Sequence, residues 1–282
     1  MKRSELLEKM RIELQNIQIY DTNDIKSVIC DVLRLNTKEY LLKSDFSDEE
    51  IGILQKVVEK LKKNMPLDKI LGRKCFYGRD FVTNENVLSP RKETELLVEQ
   101  SLKYLSKLQE KTRVLDLCCG SGCIGLTISC ETHGKVEVVL TDISNKALSV
   151  AKENGKNLGA KNVKFVLGDM FEGLKKDDKF DIIISNPPYI ETSTIFTLDS
   201  QVKDHDPWLS LDGGEDGLKF YRQIATSAGD YLKEHGVILM EIGCNQGREV
   251  QEIFLAAGYN TQLIKDYSQC DRIVVAERKK EK

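Results

Sequence analysis

The feature that most constrains the fold is an alternation of strand and helix patterns over residues 113–257. Short runs rich in apolar and β-branched residues predict strands, at residues 113–117, 136–141, 163–168, 180–185 and 237–242. Apolar residues at helical spacing separate most of these runs, at residues 123–130, 145–158, 217–232 and 247–257. Chains that alternate in this way form a mostly parallel sheet with helices on both faces. We therefore predict an α/β domain.

The two ends of the chain depart from this alternation. Residues 259–264 and 272–276 form two strand patterns joined by a short polar segment, which predicts an antiparallel pair at one sheet edge. In the first 70 residues, helical spacing predicts a small bundle, with apolar stripes at Ile25, Val28, Ile29, Val32 and Leu33 and at Ile51, Leu54, Val58 and Leu61. Pro66 is expected to end the last of these helices.

Between these regions, residues 75–88 (CFYGRDFVTNENVL) are rich in aromatic residues and partly alternating. This pattern predicts a β-hairpin with its turn at Asn84-Glu85-Asn86. Pro90 then precedes a strongly helix-forming run. We accordingly predict a helical bundle over residues 1–73, a hairpin linker over 74–90 and the sheet domain over 91–282.

Charge and composition limit the classes of function. The chain carries 42 Lys and Arg against 45 Asp and Glu, and residues 1–75 carry 15 against 13. Proteins that bind naked nucleic acid usually show a basic excess, which is absent here. No apolar run approaches the ~20 residues that span a bilayer, and the first residues are charged throughout. The eight cysteines form no regular framework and no Cys-x-x-Cys pair, so we expect reduced thiols, no metal site and a cytoplasmic protein.

A glycine turn follows the first strand of the alternation. Gly120 and Gly122 allow the backbone to approach a ligand closely, and the helix that follows offers free N–H groups. With Gly125 they also match the dinucleotide fingerprint, which is a weak signal. Asp116 at the strand end would repel a pyrophosphate and attract the ammonium and sulfonium charges of S-adenosylmethionine. The turn therefore favours S-adenosylmethionine over NAD.

Two further strands end in acidic residues. Asp142 follows the second strand and could accept both ribose hydroxyls of an adenosine. Asp169 follows the third strand and could accept from an adenine amino group, while Met170 could pack on the ring. A single acidic residue after a strand is more often a cap or turn residue. Three of them, after successive strands, favour a cofactor site.

The segment Asn186-Pro187-Pro188-Tyr189 follows the fourth strand. The prolines stiffen the backbone and leave their carbonyl oxygens free to accept, Asn186 adds a side-chain carbonyl, and Tyr189 offers a flat face. Two acceptors holding the hydrogens of a planar nitrogen would restore its electron density and aim its lone pair at a methyl donor. A rigid proline turn without chemistry is the alternative interpretation. A methyltransferase acting on nucleic-acid bases and a non-catalytic cofactor-binding protein also stay open at this point.

A wider set of motifs narrows these alternatives. It comprises Pro66–Gly72, Phe76-Tyr77-Gly78, Asn84–Leu88, Pro90–Glu95, the glycine turn with Asp116, Asn186–Tyr189, Asp206–Leu209, Leu211–Leu218 and Asp271–Val275. With this combination the sequence resembles, over nearly its whole length, the protein-glutamine methyltransferases that modify the Gly-Gly-Gln motif of class 1 peptide-chain release factors. The Asn-Pro-Pro-Tyr tetrapeptide alone is shared with adenine and guanine methyltransferases.

The resemblance implies a class I S-adenosylmethionine-dependent methyltransferase domain, with a Rossmann-like seven-stranded sheet and an antiparallel C-terminal edge, behind a helical bundle that docks the release factor. It implies that the substrate amide bonds to Asn186 and the Pro187 carbonyl, that Tyr189 shapes the pocket, and that S-adenosylhomocysteine is the product. It also implies a role in translation termination. The charge balance and the absence of a long apolar run favour a protein that needs neither nucleic acid nor membrane. The oligomeric state stays open, with a monomer favoured because no sequence feature resembles a large apolar interface.

The sequence departs from the family pattern at two positions. The family usually has glycine where Cys118 stands and proline where Lys92 stands. Cys118 predicts a tighter glycine turn with altered cofactor affinity. Arg91, Glu93 and Glu95 line the cofactor site by family likeness, and a helix start alone would equally explain them.

Overall fold

The computed structural model describes residues 1–15, 22–108 and 111–279. The chain divides into two compact units. One comprises Met1–Gly72 together with Ser200–His205, and the other comprises Arg73–Asp199 and Asp206–Lys282. Among the described residues, no helix is long and apolar enough to cross a membrane.

The first unit consists of short helices around one apolar core. They are α1 (Arg3–Leu14), α2 (Thr22–Leu33), α3 (Thr37–Leu42), α4 (Asp48–Leu61) and α5 (Leu67–Leu71). Ser47 and Glu50 form a capping box at the start of α4, in which each side chain accepts from the other residue's main-chain N–H. The stripes predicted on α2 and α4 supply much of the core, including the fully buried Ile25, Ile29 and Leu54. The predicted helical bundle is therefore present.

The prediction that Pro66 ends the last helix of the stripe was wrong. Helix α4 already ends at Leu61, and the chain turns at Asn64, whose φ is +61°. Pro66 instead lies just before α5, where a missing N–H has no cost because the first residues of a helix lack intrahelical acceptors. The Asn64 side chain also hydrogen-bonds to the side chains of Ser200 and Gln201, in the segment grouped with this unit.

The hairpin is present, but its predicted turn was wrong. Strand β1 (Arg73–Phe76) pairs with β2 (Arg79–Val82) around Tyr77-Gly78. Both turn residues have positive φ, +50° and +71°, which matches the right-handed twist of the strands. Asn84 instead forms a separate turn after β2, where its side chain accepts from the Asn86 N–H at 2.9 Å. Tyrosine is not a usual residue at positive φ, so the sequence favoured the wrong turn.

The second unit contains a seven-stranded sheet. Its strands are β3 (Arg113–Leu117), β4 (Glu137–Asp142), β5 (Val163–Leu167), β6 (Phe180–Ser185), β7 (Leu232–Glu241), β8 (Tyr259–Lys265) and β9 (Asp271–Arg278). Their order across the sheet is β5-β4-β3-β6-β7-β9-β8. The first five strands in this order are parallel, and β9 runs antiparallel to both of its neighbours. The predicted α/β class and the antiparallel C-terminal edge are confirmed.

Helices cover both faces of the sheet. They are α6 (Glu95–Leu105), α7 (Cys123–Glu131), α8 (Asn145–Leu158), α11 (Lys219–Ser227) and α12 (Gly247–Ala256), while the segment after β6 carries the short α9 (Thr192–Ile195) and α10 (Ser200–Lys203). The side chains of β3 alternate between two cores. Val114 packs with Phe81 and Leu97, whereas Leu115 packs with Tyr221 and other residues on the opposite face.

The helix predicted at residues 217–232 is too long. Helix α11 ends at Ser227, a 3-10 turn covers Ala228–Asp230, and β7 begins at Leu232. The Phe180 N–H donates to the Tyr231 carbonyl at 2.8 Å, and Phe180 pairs with Leu232. This cross-strand pairing draws the chain into the sheet five residues before the predicted strand.

Candidate active site

The parallel order of the sheet brings the carboxyl ends of β3, β4, β5 and β6 to one edge. A cavity opens at this edge, and the segment that follows each of these strands contributes to its wall. Six of the predicted site residues line it, namely Gly120, Asp142, Asp169, Met170, Asn186 and Pro188. The other four, Asp116, Gly122, Pro187 and Tyr189, are not among the residues that line it. Arg91 lines the cavity as well, whereas Glu93 and Glu95 do not.

The glycine turn after β3 adopts left-handed conformations at both predicted glycines. Gly120 has φ +53° and open space where a Cβ would stand, so its backbone faces the cavity without obstruction. Gly122 has φ +77°, and a Cβ there would lie 2.9 Å from the Leu126 side chain. One glycine therefore leaves room for a ligand, and the other allows the turn to pack on α7.

Asp116 is fully buried and contacts the start of α7. Its Oδ2 accepts the N–H of Gly125 at 2.9 Å, and a Cβ on Gly125 would approach that oxygen to 2.9 Å. Burial raises the pKa of Asp116 to about 7, and the Gly125 hydrogen bond acts in the opposite direction. Its Oδ1 is buried and has no hydrogen-bond partner among the described residues. Direct contact of Asp116 with a cationic ligand stays a prediction.

Asp142 ties two segments of the cavity wall together. Its Oδ2 accepts the Gly120 N–H at 2.8 Å, and its Oδ1 accepts the Ser144 N–H at 2.8 Å. Burial raises the pKa of this carboxyl, and the main-chain hydrogen bonds lower it. A carboxylate oxygen has more than one lone pair, so each oxygen can also accept a ligand hydroxyl. The arrangement suits a diol such as ribose.

Cys118 and Met170 meet on the cavity wall in left-handed backbone conformations. Their φ angles are +57° and +51°, and the Cys118 thiol donates to the Met170 sulfur at 3.6 Å. A positive φ at residue 118 gives a physical reason for glycine there in the family pattern. Burial raises the pKa of the Cys118 thiol, which is therefore uncharged at neutral pH. The two sulfur atoms form a soft, apolar part of the wall.

The proline segment is held by the loop that precedes α11. The Ile190 N–H donates to the Leu211 carbonyl at 3.0 Å, and the Gly213 N–H donates to the Ile190 carbonyl at 2.8 Å. Pro187 and Pro188 are buried, whereas Asn186 is half-buried at the cavity. The Asn186 Nδ2 donates to the Thr94 Oγ1 at 3.4 Å. This contact turns the nitrogen end of the amide toward α6.

Tyr189 ends the segment, is half-buried and does not line the cavity. Burial raises its pKa to about 12, and the nearby carboxyl of Glu241 adds to this shift. Its phenol is therefore neutral at physiological pH. The Tyr189 carbonyl accepts from the Gln246 side chain at 3.0 Å, so the position of this residue is fixed through its backbone.

Three residues around the proline segment were not predicted as site residues from the sequence: Thr94, Glu241 and Gln246. Glu241 ends the apolar strand β7 and is buried. The signal that singled out the acidic residues after earlier strands could have found it. Thr94 and Gln246 lie next to helix starts and carried no signal of their own. Arg91 forms an ion pair with Asp206 at 2.7 Å. Among the described residues, no cluster of His, Cys, Asp or Glu has an arrangement that could hold a metal ion.

Comparison with known proteins defines the class. A family model described as a methyltransferase domain matches residues 108–251. A solved methyltransferase from Pyrococcus furiosus has a TM-score of 0.52 at 18% identity, over 83% of this chain and 99% of that one. A 16S rRNA methyltransferase from T. thermophilus, solved with AdoMet and guanosine, has a TM-score of 0.50 at 17% identity, over 73% of this chain and 50% of that one. The fold is that of a class I S-adenosylmethionine-dependent methyltransferase, and the chain is a methyltransferase.

Relatives of known name narrow this class. The release factor glutamine methyltransferase of Thermodesulfovibrio yellowstonii is 37% identical over 278 residues, covering 97% of this chain and 98% of the relative. That of Chlamydia trachomatis serovar L2 is 37% identical over 258 residues, covering 92% and 88%. That of Bacillus cereus is 35% identical over 264 residues, covering 91% and 93%. The chain belongs to the release factor glutamine methyltransferase family.

Proposed function

We propose that this protein transfers a methyl group from S-adenosylmethionine to the side-chain amide nitrogen of the glutamine in the Gly-Gly-Gln motif of class 1 release factors. The observation that carries the proposal is the placement of Asn186 on the cavity wall, with its Nδ2 directed at Thr94. This orientation leaves the Asn186 carbonyl oxygen to accept a substrate N–H. The names of the relatives support the same substrate.

The cavity wall fits the methyl donor. Asp142 would hold the ribose hydroxyls, Asp169 would accept from the adenine amino group, and Met170 would pack on the ring. The open space above Gly120 gives the donor room against the backbone. When bound, S-adenosylmethionine supplies an electrophilic methyl group on a sulfonium. Asp116 and Gly122 would shape this site from behind, by fixing the glycine turn against α7.

The proline segment would prepare the substrate nitrogen. An amide nitrogen is a poor nucleophile because its lone pair is delocalised into the carbonyl. The Asn186 side-chain oxygen and the Pro187 carbonyl would accept its two N–H groups, which raises electron density on nitrogen and aims it at the methyl group. In the transfer the N–C bond would form as the S–C bond breaks, S-adenosylhomocysteine would leave, and the nitrogen would release one proton to solvent. Pro188 stiffens the segment, and Tyr189 anchors it beneath the amide.

The helical unit would provide a docking surface for the release factor, beyond the contacts of the glutamine itself. It contains its own apolar core and belongs to the region that the relatives share. We infer that the enzyme works as a monomer in the cytoplasm and needs no nucleic acid. Its near-neutral charge, with 42 basic and 45 acidic residues, supports the absence of a nucleic-acid surface.

The test compares labelled methyl transfer to purified class 1 release factor, to DNA and to RNA. We expect label on the release factor alone, and a release factor whose motif glutamine is replaced should take up none. Asn186→Ala should lower the rate by at least about 10²-fold while leaving S-adenosylmethionine affinity unchanged. Asn145→Ala, which changes an exposed asparagine at the start of α8, is the matched control. Label on nucleic acid alone would contradict the proposal.

A further inference from the structure

Glu241 is a buried carboxyl that the steps above do not use. It ends β7, and only 2% of its surface is exposed. Its main-chain carbonyl accepts the Tyr221 hydroxyl at 2.9 Å, which fixes the backbone at this point. Its Oε2 is buried and has no hydrogen-bond partner among the described residues. A buried carboxyl is costly unless its surroundings stabilise it, so its presence here calls for a role.

The register of the sheet places Glu241 beside the proline segment. Ser185 of β6 pairs with Met240 of β7 in parallel, so the next residues along each strand, Asn186 and Glu241, are neighbours. Thr94, which is also 2% exposed, lies just before α6, and its Oγ1 is 3.4 Å from the Asn186 amide nitrogen. The side chains of Thr94 and Asn186 both lie close enough to the Glu241 carboxyl to lower its pKa.

We propose that Glu241 is a positioning residue that orients the side-chain amide of Asn186, with the amide nitrogen toward the protein interior and the oxygen toward the substrate. The inference rests on the proposed function, in which that oxygen accepts a substrate N–H. An asparagine side chain can rotate by half a turn at little steric cost, so something must select one orientation. The pair formed by Glu241 and Thr94 supplies this selection.

The selection is electrostatic. An ionised carboxylate has no hydrogen to donate, so it can accept from the Asn186 nitrogen but would repel the Asn186 oxygen. In a buried site this repulsion is much stronger than in water. The charged and titratable groups around the carboxyl are Arg272 from β9, Glu93 before α6, Tyr189, Tyr221 and Cys123. Arg272 favours the ionised form, and Glu93 opposes it.

This arrangement should respond to pH. Burial raises the pKa of Glu241 to about 7, whereas the Thr94 hydrogen bond and the Arg272 charge act to lower it. Below this pH the carboxyl carries a proton and can donate to the Asn186 oxygen, which permits the unproductive orientation. We therefore expect kcat on release factor to rise with pH through about 7.

The experiment compares Glu241→Gln and Glu241→Leu with Glu234→Gln, which changes an exposed glutamate on the same strand. Glu241→Leu removes the acceptor and should lower kcat by about 10²-fold while changing the S-adenosylmethionine Kd by less than about 2-fold. Glu241→Gln keeps an acceptor oxygen, so it should retain more activity and lose the rise of kcat through neutral pH. Unchanged kcat in Glu241→Leu, or a wild-type pH profile in Glu241→Gln, would overturn the inference.

A second readout does not depend on turnover. The side-chain amide of Asn186 gives nitrogen–proton NMR signals that can be assigned by their absence in Asn186→Ala. We expect their chemical shifts to titrate near pH 7 in the wild-type protein and in Glu234→Gln, and not in Glu241→Gln. If the wild-type enzyme labels no release factor but this titration is present, the proposed function fails while the orienting contact stands. If the signals do not titrate in the wild-type protein, the inference itself is wrong.

Discussion

The side-chain amide of Gln246 donates a hydrogen bond to the main-chain carbonyl of Tyr189 over 3.0 Å. The same nitrogen reaches the Gly217 carbonyl at 3.3 Å, and the Gln246 oxygen accepts the Gly243 N–H at 2.9 Å. One side chain therefore joins the proline segment, the loop before α11 and the loop after β7. The rigidity of the segment comes from its neighbours as well as from its two prolines.

Replacing Gln246 by leucine should loosen the proline segment. The change leaves two main-chain carbonyls without their donor, which costs about 1–3 kcal/mol in the free energy of unfolding. Methyl transfer should fall at the same time because the acceptors around the substrate nitrogen lose their fixed geometry. Denaturant titration and turnover measure the two effects. Gln251→Leu is the control, since Gln251 lies on α12 and its side chain donates to the Thr261 hydroxyl rather than to the proline segment. Equal turnover in the two variants would show that the Gln246 contact is irrelevant to catalysis.

Gly217→Ala should distort the same segment from the other side. Gly217 has φ +71°, and a Cβ there would overlap the carbonyl oxygen of Tyr189. Gly78 has the same φ of +71° but nothing within 4 Å of its Cβ position, so Gly78→Ala measures the conformational cost alone, about 1–2 kcal/mol. We expect the loss of stability in Gly217→Ala to exceed that of Gly78→Ala, and only Gly217→Ala to lose methyl transfer. Identical losses in the two variants would mean that the segment adapts freely.

Replacing Cys118 by glycine should reduce the stability of the protein less than replacing it by valine, because the φ of residue 118 is +57°. Glycine relieves about 1 kcal/mol of left-handed strain, whereas a β-branched residue adds to it. Cys130 lies in the last turn of α7, where the order should reverse, because glycine costs up to about 1 kcal/mol in a helix and valine costs less. Denaturant titration measures the free energy of unfolding of the four variants: Cys118→Gly, Cys118→Val, Cys130→Gly and Cys130→Val. The same order of stability at both positions would rule out strain at residue 118.

Asp116 should make the protein without cofactor less stable as pH rises toward 7. Burial raises its folded pKa from 3.8 to about 7, so the folded state holds this proton more tightly than the unfolded chain does. Its contribution, on the order of 4 kcal/mol, is complete below about pH 4 and is lost as pH rises through about 7. Asp116→Asn should flatten this decline, leaving the part due to Glu241. Asp216→Asn is the control, because hydrogen bonding to Arg222 lowers the pKa of Asp216 to about 2. An unchanged slope in Asp116→Asn would contradict the raised pKa.

Much of the fold was predictable because buried parallel strands carry strong local signals. The predicted bounds of β3 and β6 match the structure, and the helix predicted at 145–158 is α8. The errors fall where pairing across the sheet decides the conformation. Leu232 is extended because it pairs with Phe180, and Tyr77 accepts a positive φ because the strands around it twist. Neither cause is local in sequence.

The site was predictable to the extent that it follows strand ends. Residues after four parallel strands meet at one edge, so Gly120, Asp142, Asp169 and Asn186 were expected together and are found on one wall. The direction of Asp116 toward Gly125 was not predictable, because it depends on how α7 packs against β3. Glu241 becomes a neighbour of Asn186 only through the order of β6 and β7, which sequence spacing does not reveal.

The most direct test of the account is tandem mass spectrometry of the release-factor peptide that contains Gly-Gly-Gln, after incubation with the enzyme and S-adenosylmethionine. We expect a mass increase of one methyl group on the glutamine side chain, and none with Asn186→Ala. A methyl group on another residue of the peptide, or an unmodified peptide in the presence of active, cofactor-bound enzyme, would contradict it.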